Sequence, residues 1–328
     1  MNEALIISER KKLWEPSKNW IKNAEVTHFI ELVNKKYNQK IKGAKDLYKW
    51  SVDKIEDFWA AMWDFASIVA SKKYEKVVED VNVFPGTKWF PGAMMNFAEN
   101  LLKFKDDQLA FIFQGETIKH KKMSYFDLNK IVAQLADSLR KIGVRKGDRV
   151  VSYIPNLIET PIAMLATSSI GAIWASCGAE LQYSAVIDRF GQIEPKVLFT
   201  VDGYYYRDQI FETIPNAKKV VEAIPSIEKV IVVSYVSDEK PDISSIPNAV
   251  HWEDFISKEE DIENQFEQLP FDHPLYIMFS SGTTGRPKCM VQSQGGVLLN
   301  HLKELLLSTD LKRSDIINYI TAPSWMMA

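Results

Sequence analysis

RVVSYIPNLIETPIAMLATSSIGAIWASC, residues 149–177, is the stretch whose reading decides the architecture. RVVSYI has strand character, and Pro155 ends it, because proline cannot continue the ladder of a central strand. A helix-like run starts at Glu159, and IWASC returns to strand character after Gly171. Strand, helix and strand in about thirty residues make a β-α-β unit, the element from which parallel sheets are built. A competing reading exists, because the twenty residues from Thr160 to Ala179 carry no charge and that is the length of a membrane-spanning helix. Pro, Gly, Ser, Thr and Ala fill much of the stretch and keep its hydropathy low, so a buried helix followed by a buried strand is expected instead.

The pattern extends outward. Ser124–Ile142 reads as one helix with Leu128, Ile131, Val132, Leu135, Leu139 and Ile142 on a face. Ser124 and Asp127 stand at capping spacing, and Gly143 is suited to the stop. A helix is expected around Ala185–Ile193. KVLFTV (196–201), KVIVVSYV (229–236) and LYIMF (275–279) read as further buried strands. The expected fold class is therefore α/β, with parallel-sheet β-α-β layers. Ser237–Leu269 is polar with scattered prolines and reads as a surface excursion. Residues 1–105 read as a helical, aromatic-rich cap, and in Ser51–Ala66 the positions Ile55, Phe58, Trp59, Met62, Trp63 and Ala66 recur at helical spacing, a core stripe.

Composition excludes several classes. The chain has 328 residues, 46% of them hydrophobic, enough for a large core. With 40 Lys and Arg against 43 Asp and Glu, nothing asks for nucleic acid. Cys177 and Cys289 are the only cysteines, which rules out a disulfide scaffold and suits a reducing compartment. The N-terminal MNEALIISERKKLWEP lacks the apolar core of a secretory signal, so a cytosolic protein without a membrane span is expected. The five histidines have no metal-ligand spacing, so no metal site is assigned.

The chemistry concentrates in YIMFSSGTTGRPKCMVQSQGG, residues 276–296. Glycines allow successive N–H groups to turn inward and form an anion-binding hollow. The hydroxyls of Ser280, Ser281, Thr283 and Thr284 add donors that swivel toward phosphate oxygens, and Lys288 adds a compact positive charge. A loop leaving a buried strand sits at the carboxyl edge of the sheet, where ligands of open α/β folds bind. The plainer reading is a surface turn rich in glycine and threonine. A Walker loop is disfavoured, since Lys288 follows Pro287, precedes Cys289 and leads into a second strand, CMVQ; a helical pattern resumes only near Val297.

SSGTTGRPK (280–288) resembles the phosphate loop of the adenylate-forming superfamily. WFPGAMMNFAENLL (89–102), GDRVVSYIPNLIETPIAMLATSSIGAIW (147–174), DRFGQIEPKVLF (188–199) and FEQLPFDHPLYIMFSSGTTGRPKCMV (266–291) are together similar to the acetoacetyl-CoA synthetase family within it. The resemblance runs from about Leu13 to Met327. It implies the N-terminal domain of an adenylate-forming enzyme, with residues 1–105 as its cap and 106–328 as the first part of an AMP-binding domain. It also implies ATP-dependent activation of acetoacetate through an acyl adenylate to acetoacetyl-CoA, with ATP, Mg²⁺ and CoA, in cytosolic ketone-body and lipid metabolism. By the match, Ser280, Ser281, Gly282, Thr283, Thr284, Gly285 and Lys288 would bind phosphates, Lys288 and Thr283 would serve catalysis, and Arg286 and Pro287 would shape the turn. Trp325, in TAPSWMMA (321–328), either lines the acyl pocket or packs in the core. Three positions depart from the family pattern: Gln292 in place of a histidine, Ser324 in place of a glycine, and Gly178-Ala179-Glu180-Leu181 in place of Ser-Pro-Asp-Phe. Family members are about twice as long, so the chain is expected to be an N-terminal half with an incomplete site; a catalytically silent binding or interaction module is the alternative.

Overall fold

The computed structural model describes residues 13–116, 120–280, 285–322 and 324. The chain divides into two compact units, Met1–Ser67 with Leu299–Ile316, and Ile68–Leu298 with Ile317–Ala328.

In the first unit, helices Lys18–Asn23, Glu25–Lys36, Ala44–Asp53 and Ile55–Phe65 follow one another. The chain breaks at Lys54, whose φ of −129° leaves the helical region, so the aromatic stripe belongs to Ile55–Phe65 and does not continue back through Ser51. Phe58, Met62 and Trp63 are buried. Phe29 makes edge-to-face ring contacts with Phe58 and Phe65 at centroid distances of 5.8 and 5.2 Å, a preferred aromatic geometry. Asp310 ties the distant segment in: its carboxylate accepts the Glu25 N–H at 2.7 Å, capping an orphan donor of that helix.

The second unit is built on a seven-stranded sheet. Its strands in chain order are β1 Arg149–Tyr153, β2 Ile173–Cys177, β3 Val197–Val201, β4 Lys229–Val233, β5 Ala249–His251, β6 Pro274–Phe279 and β7 Cys289–Ser293. The spatial order is β5-β4-β3-β1-β2-β6-β7. All neighbours pair in parallel except β6 with β7, an antiparallel hairpin. The stretch 149–177 forms two central strands flanking the helix Glu159–Ser169. That helix ends at Ser169, and Gly171, at φ +79°, turns the chain back into the sheet. Among the described residues, no helix is long and apolar enough to cross a membrane.

Strand side chains alternate between two cores. Val150, Phe199, Ile231 and Trp174 pack with Leu128, Val132, Leu135 and Ile162 of helices Tyr125–Lys141 and Glu159–Ser169. Val151, Leu198, Val230 and Ile277 face the other way, onto Val186, Phe190, Ala217 and Val220 of helices Tyr183–Phe190 and Ile214–Ala223. A sheet covered on both faces explains why its strands read as continuous apolar runs. The 237–269 excursion hides an edge strand, β5: three half-buried residues beside β4 are too few to show a period in sequence.

Candidate functional site

Connections from β1 and β3 leave in opposite directions, a switch point at the carboxyl edge of the sheet, where ligands of α/β sheets bind. β6 runs parallel to β2, so the β6–β7 loop starts from that same edge. Its root is closed by its own ends. The Ser280 N–H donates to the Lys288 carbonyl at 3.0 Å, and the Lys288 N–H donates to Ser280 Oγ at 3.3 Å. Next to the loop the hairpin register is regular, with Phe279 opposite Cys289 and Met278 opposite Met290, and it shifts further down, between Pro274 and Tyr276. Ser280 Oγ thus accepts from the backbone, and its own O–H proton remains free to rotate toward a ligand.

Gly285 sits at φ +147° with open space around the position of a Cβ; the backbone angle, not crowding, demands glycine there. Arg286 and Lys288 are exposed, and among the described residues Lys288 Nζ has no acidic partner. An unpaired, solvated ammonium at a loop root is available to an anion. Of the residues singled out from sequence, Ser280, Gly285, Arg286, Pro287 and Lys288 are gathered at this root. Ser281, Gly282, Thr283, Thr284 and Trp325 lie outside the described residues.

Sequence reasoning passed over three buried carboxamides, of which Gln294 directly follows the hairpin. Gln294, 2% exposed, accepts the Phe97 N–H at 3.1 Å and directs its amide at the carbonyls of Met95, Leu269 and Pro270 at 2.9–3.2 Å. Asn96 directs its amide at Ser168, Ser169 and Glu267 carbonyls, and Asn100 holds both the N–H and the C=O of Val69. Gly295 follows because a Cβ there would meet the Phe271 ring at 2.2 Å. The available signal was a polar amide inside apolar runs, MMNFAENLL and QSQGGVLL, since buried polar groups imply hydrogen-bond partners.

After β2 the chain makes a tight turn, with the Leu181 N–H on the Gly178 carbonyl at 3.1 Å. The Tyr153 hydroxyl donates to the Leu181 carbonyl. Burial pushes the Tyr153 phenol up to about 12, so it stays a neutral donor at any ordinary pH. Burial likewise pushes the Cys177 thiol up to about 12, which removes it as a nucleophile. Gln292 sits in β7 opposite Tyr276. Among the described residues the site therefore offers donors, positive charge and positioning, equipment that phosphoryl chemistry uses.

A sequence model of the AMP-binding enzyme family matches residues 97–328, and one described as the acetyl-coenzyme A synthetase N-terminus matches residues 44–101. Acetoacetyl-CoA synthetase of Danio rerio is 42% identical over 329 aligned positions, covering 98% of this chain and 49% of the relative. That of Gallus gallus is also 42% identical, with the same coverage. The solved structure of acetoacetyl-CoA synthetase from Streptomyces lividans superposes with a TM-score of 0.90 at 37% identity, covering 97% of this chain and 48% of the other. The chain spans about half the length of the curated relatives it matches.

Proposed function

Because this chain belongs to the AMP-binding enzyme family, we propose that it supplies the phosphate-gripping part of an ATP-dependent ligase that converts acetoacetate to acetoacetyl-CoA. The observation that carries this reading is the β6–β7 hairpin, whose root at the carboxyl edge of the sheet is closed by hydrogen bonds between Ser280 and Lys288. In the first half-reaction a carboxylate oxygen attacks the α-phosphorus of ATP, and the bond to pyrophosphate breaks. Negative charge grows on the leaving group. Lys288 Nζ, the Ser280 hydroxyl and the loop's N–H groups would hold the β and γ phosphates, and preorganised donors of this kind act mainly on the transition state. Ser281, Gly282, Thr283, Thr284 and Gly285 complete the proposed set, with Thr283 and Lys288 closest to the chemistry. In the second half-reaction the CoA thiol attacks the acyl carbonyl and AMP departs.

Magnesium would travel on the triphosphate. Ser280 and residues 285–288 carry no carboxylate, so they add no negative charge to hold it. Residues 1–105 are assigned as cap and 106–328 as the first part of the adenylation domain, with Trp325 in the acyl pocket. Cytosolic action in ketone-body and lipid metabolism accompanies this reading.

The second reading is a catalytically silent module that binds nucleotide without turning over. Acetoacetate-dependent exchange of labelled pyrophosphate into ATP tests the pair. Exchange by the 328-residue chain supports the ligase. Nucleotide-induced shifts at Gly285 and Lys288 amides without exchange support the binding module. Acid-independent ATP hydrolysis contradicts both.

A further inference from the structure

The helix Tyr183–Phe190 does more than cover the sheet. Its last turn is prolonged by tight hydrogen bonds, Gln192 N–H to the Arg189 carbonyl at 3.2 Å and Ile193 N–H to the Phe190 carbonyl at 3.1 Å. Gly191 permits this, because a Cβ there would lie 2.8 Å from the Ile187 carbonyl oxygen. The side chain of Gln192 then leaves the helix end toward the β6–β7 loop. Its amide nitrogen donates to the Asp188 carbonyl at 2.7 Å and to the Pro287 carbonyl at 2.9 Å. A carboxamide has two N–H donors, one for each of these acceptors. Two residues earlier, the Phe190 ring meets that of Phe279 at a centroid distance of 6.3 Å. One helix end therefore touches both stems of the loop, Phe279 just before Ser280 and Pro287 just before Lys288.

We propose that Gln192 is a positioning residue for the phosphate loop, holding the descending stem so that the Lys288 N–H reaches Ser280 and the lysine side chain leaves the root in one direction. This rests on the nucleotide-binding reading above, but its physical core is the stem itself. Gln192 is exposed, and an exposed hydrogen bond contributes little to global stability. Its effect is local, on the freedom of the loop root.

The test uses the whole chain without ligand, then with ATP and Mg²⁺. Gln192→Met keeps the length of the side chain and removes both donors; Gln192→Arg keeps donors that reach. Hydrogen exchange at the Ser280 and Lys288 amides is expected to speed up at least tenfold in Gln192→Met and to stay within threefold of wild type in Gln192→Arg, while the Val230 and Ile231 amides of β4 are unchanged. Apparent ATP affinity of Gln192→Met is expected to fall three- to tenfold. Root exchange within twofold of wild type in Gln192→Met overturns the proposal. So does equal acceleration in both variants, or acceleration that extends to β4. If ATP leaves the wild-type root undisturbed, the nucleotide reading fails while the exchange comparison still decides the role of Gln192.

Discussion

Replacing Gln294 by methionine removes the carboxamide and nearly preserves volume, so the effect should be one of polarity without a cavity. Gln294 is almost fully buried and its oxygen is the acceptor for the Phe97 N–H. Leaving a buried donor unpaired costs about 1–3 kcal/mol, and each donated bond lost costs about 0.5–1.5 kcal/mol. The Pro270 carbonyl keeps a partner, the His273 N–H at 3.0 Å, which trims the total. We expect a loss of about 3 kcal/mol in the local opening free energy, or about a hundredfold faster amide exchange by the tenfold-per-1.4-kcal/mol relation. The assay is native-state exchange at Phe97 and the neighbouring Met95–Leu101 amides. Gln294→Glu should be worse than methionine, because it points a carboxylate at three carbonyl oxygens. Less than a threefold change in Gln294→Met, or a glutamate variant equal to wild type, would refute the reasoning.

Further outcomes can be checked independently. Half-burial holds His273 below the ordinary histidine value. The unfolded chain therefore binds protons first, and stability should be complete above about pH 7 and fall as pH drops through about 6.5; His273→Gln, tested by denaturant titration at pH 7 and 5.5, should shrink that loss. Cys289 is exposed and Cys177 is buried with its thiol pushed up to about 12, so a thiol reagent at pH 8 should label one cysteine in the native chain and two in urea, and ATP should slow the one. In a longer protein completed with the second half of a relative, Lys288→Ala should lower the adenylation rate by about 10²–10³ while the acid KM stays within threefold; equal losses in both would count against a role in leaving-group stabilisation.

Much of the fold was legible because each signal is local. Ser124 accepts the Asp127 N–H at 3.0 Å and starts the helix where its spacing with Asp127 says it should, and Gly143 ends it at φ +87°. The apolar runs became strands because both faces of the sheet are covered. Ala249–His251 was not legible, since three residues carry no period and owe their strand state to pairing with β4. The break at Lys54 was missed for a related reason: the apolar stripe is continuous, and spacing does not report a single dihedral. At the site, the loop's composition led to the expectation of an anion hollow, and the structure describes only its root. The amide clamps of the fold, Gln192, Gln294 and Asn96, were silent, because an amide's partner is a backbone group far away in sequence and no side-chain pattern records a carbonyl.

The Phe97 N–H and the Gln294 oxygen that accepts it are 197 positions apart. At a synthesis rate of about 5–20 residues per second, the nascent segment around Phe97 waits about 10–40 s for its acceptor to be made. In that interval its donor is hydrated, so this contact closes only after the intervening segment has been made.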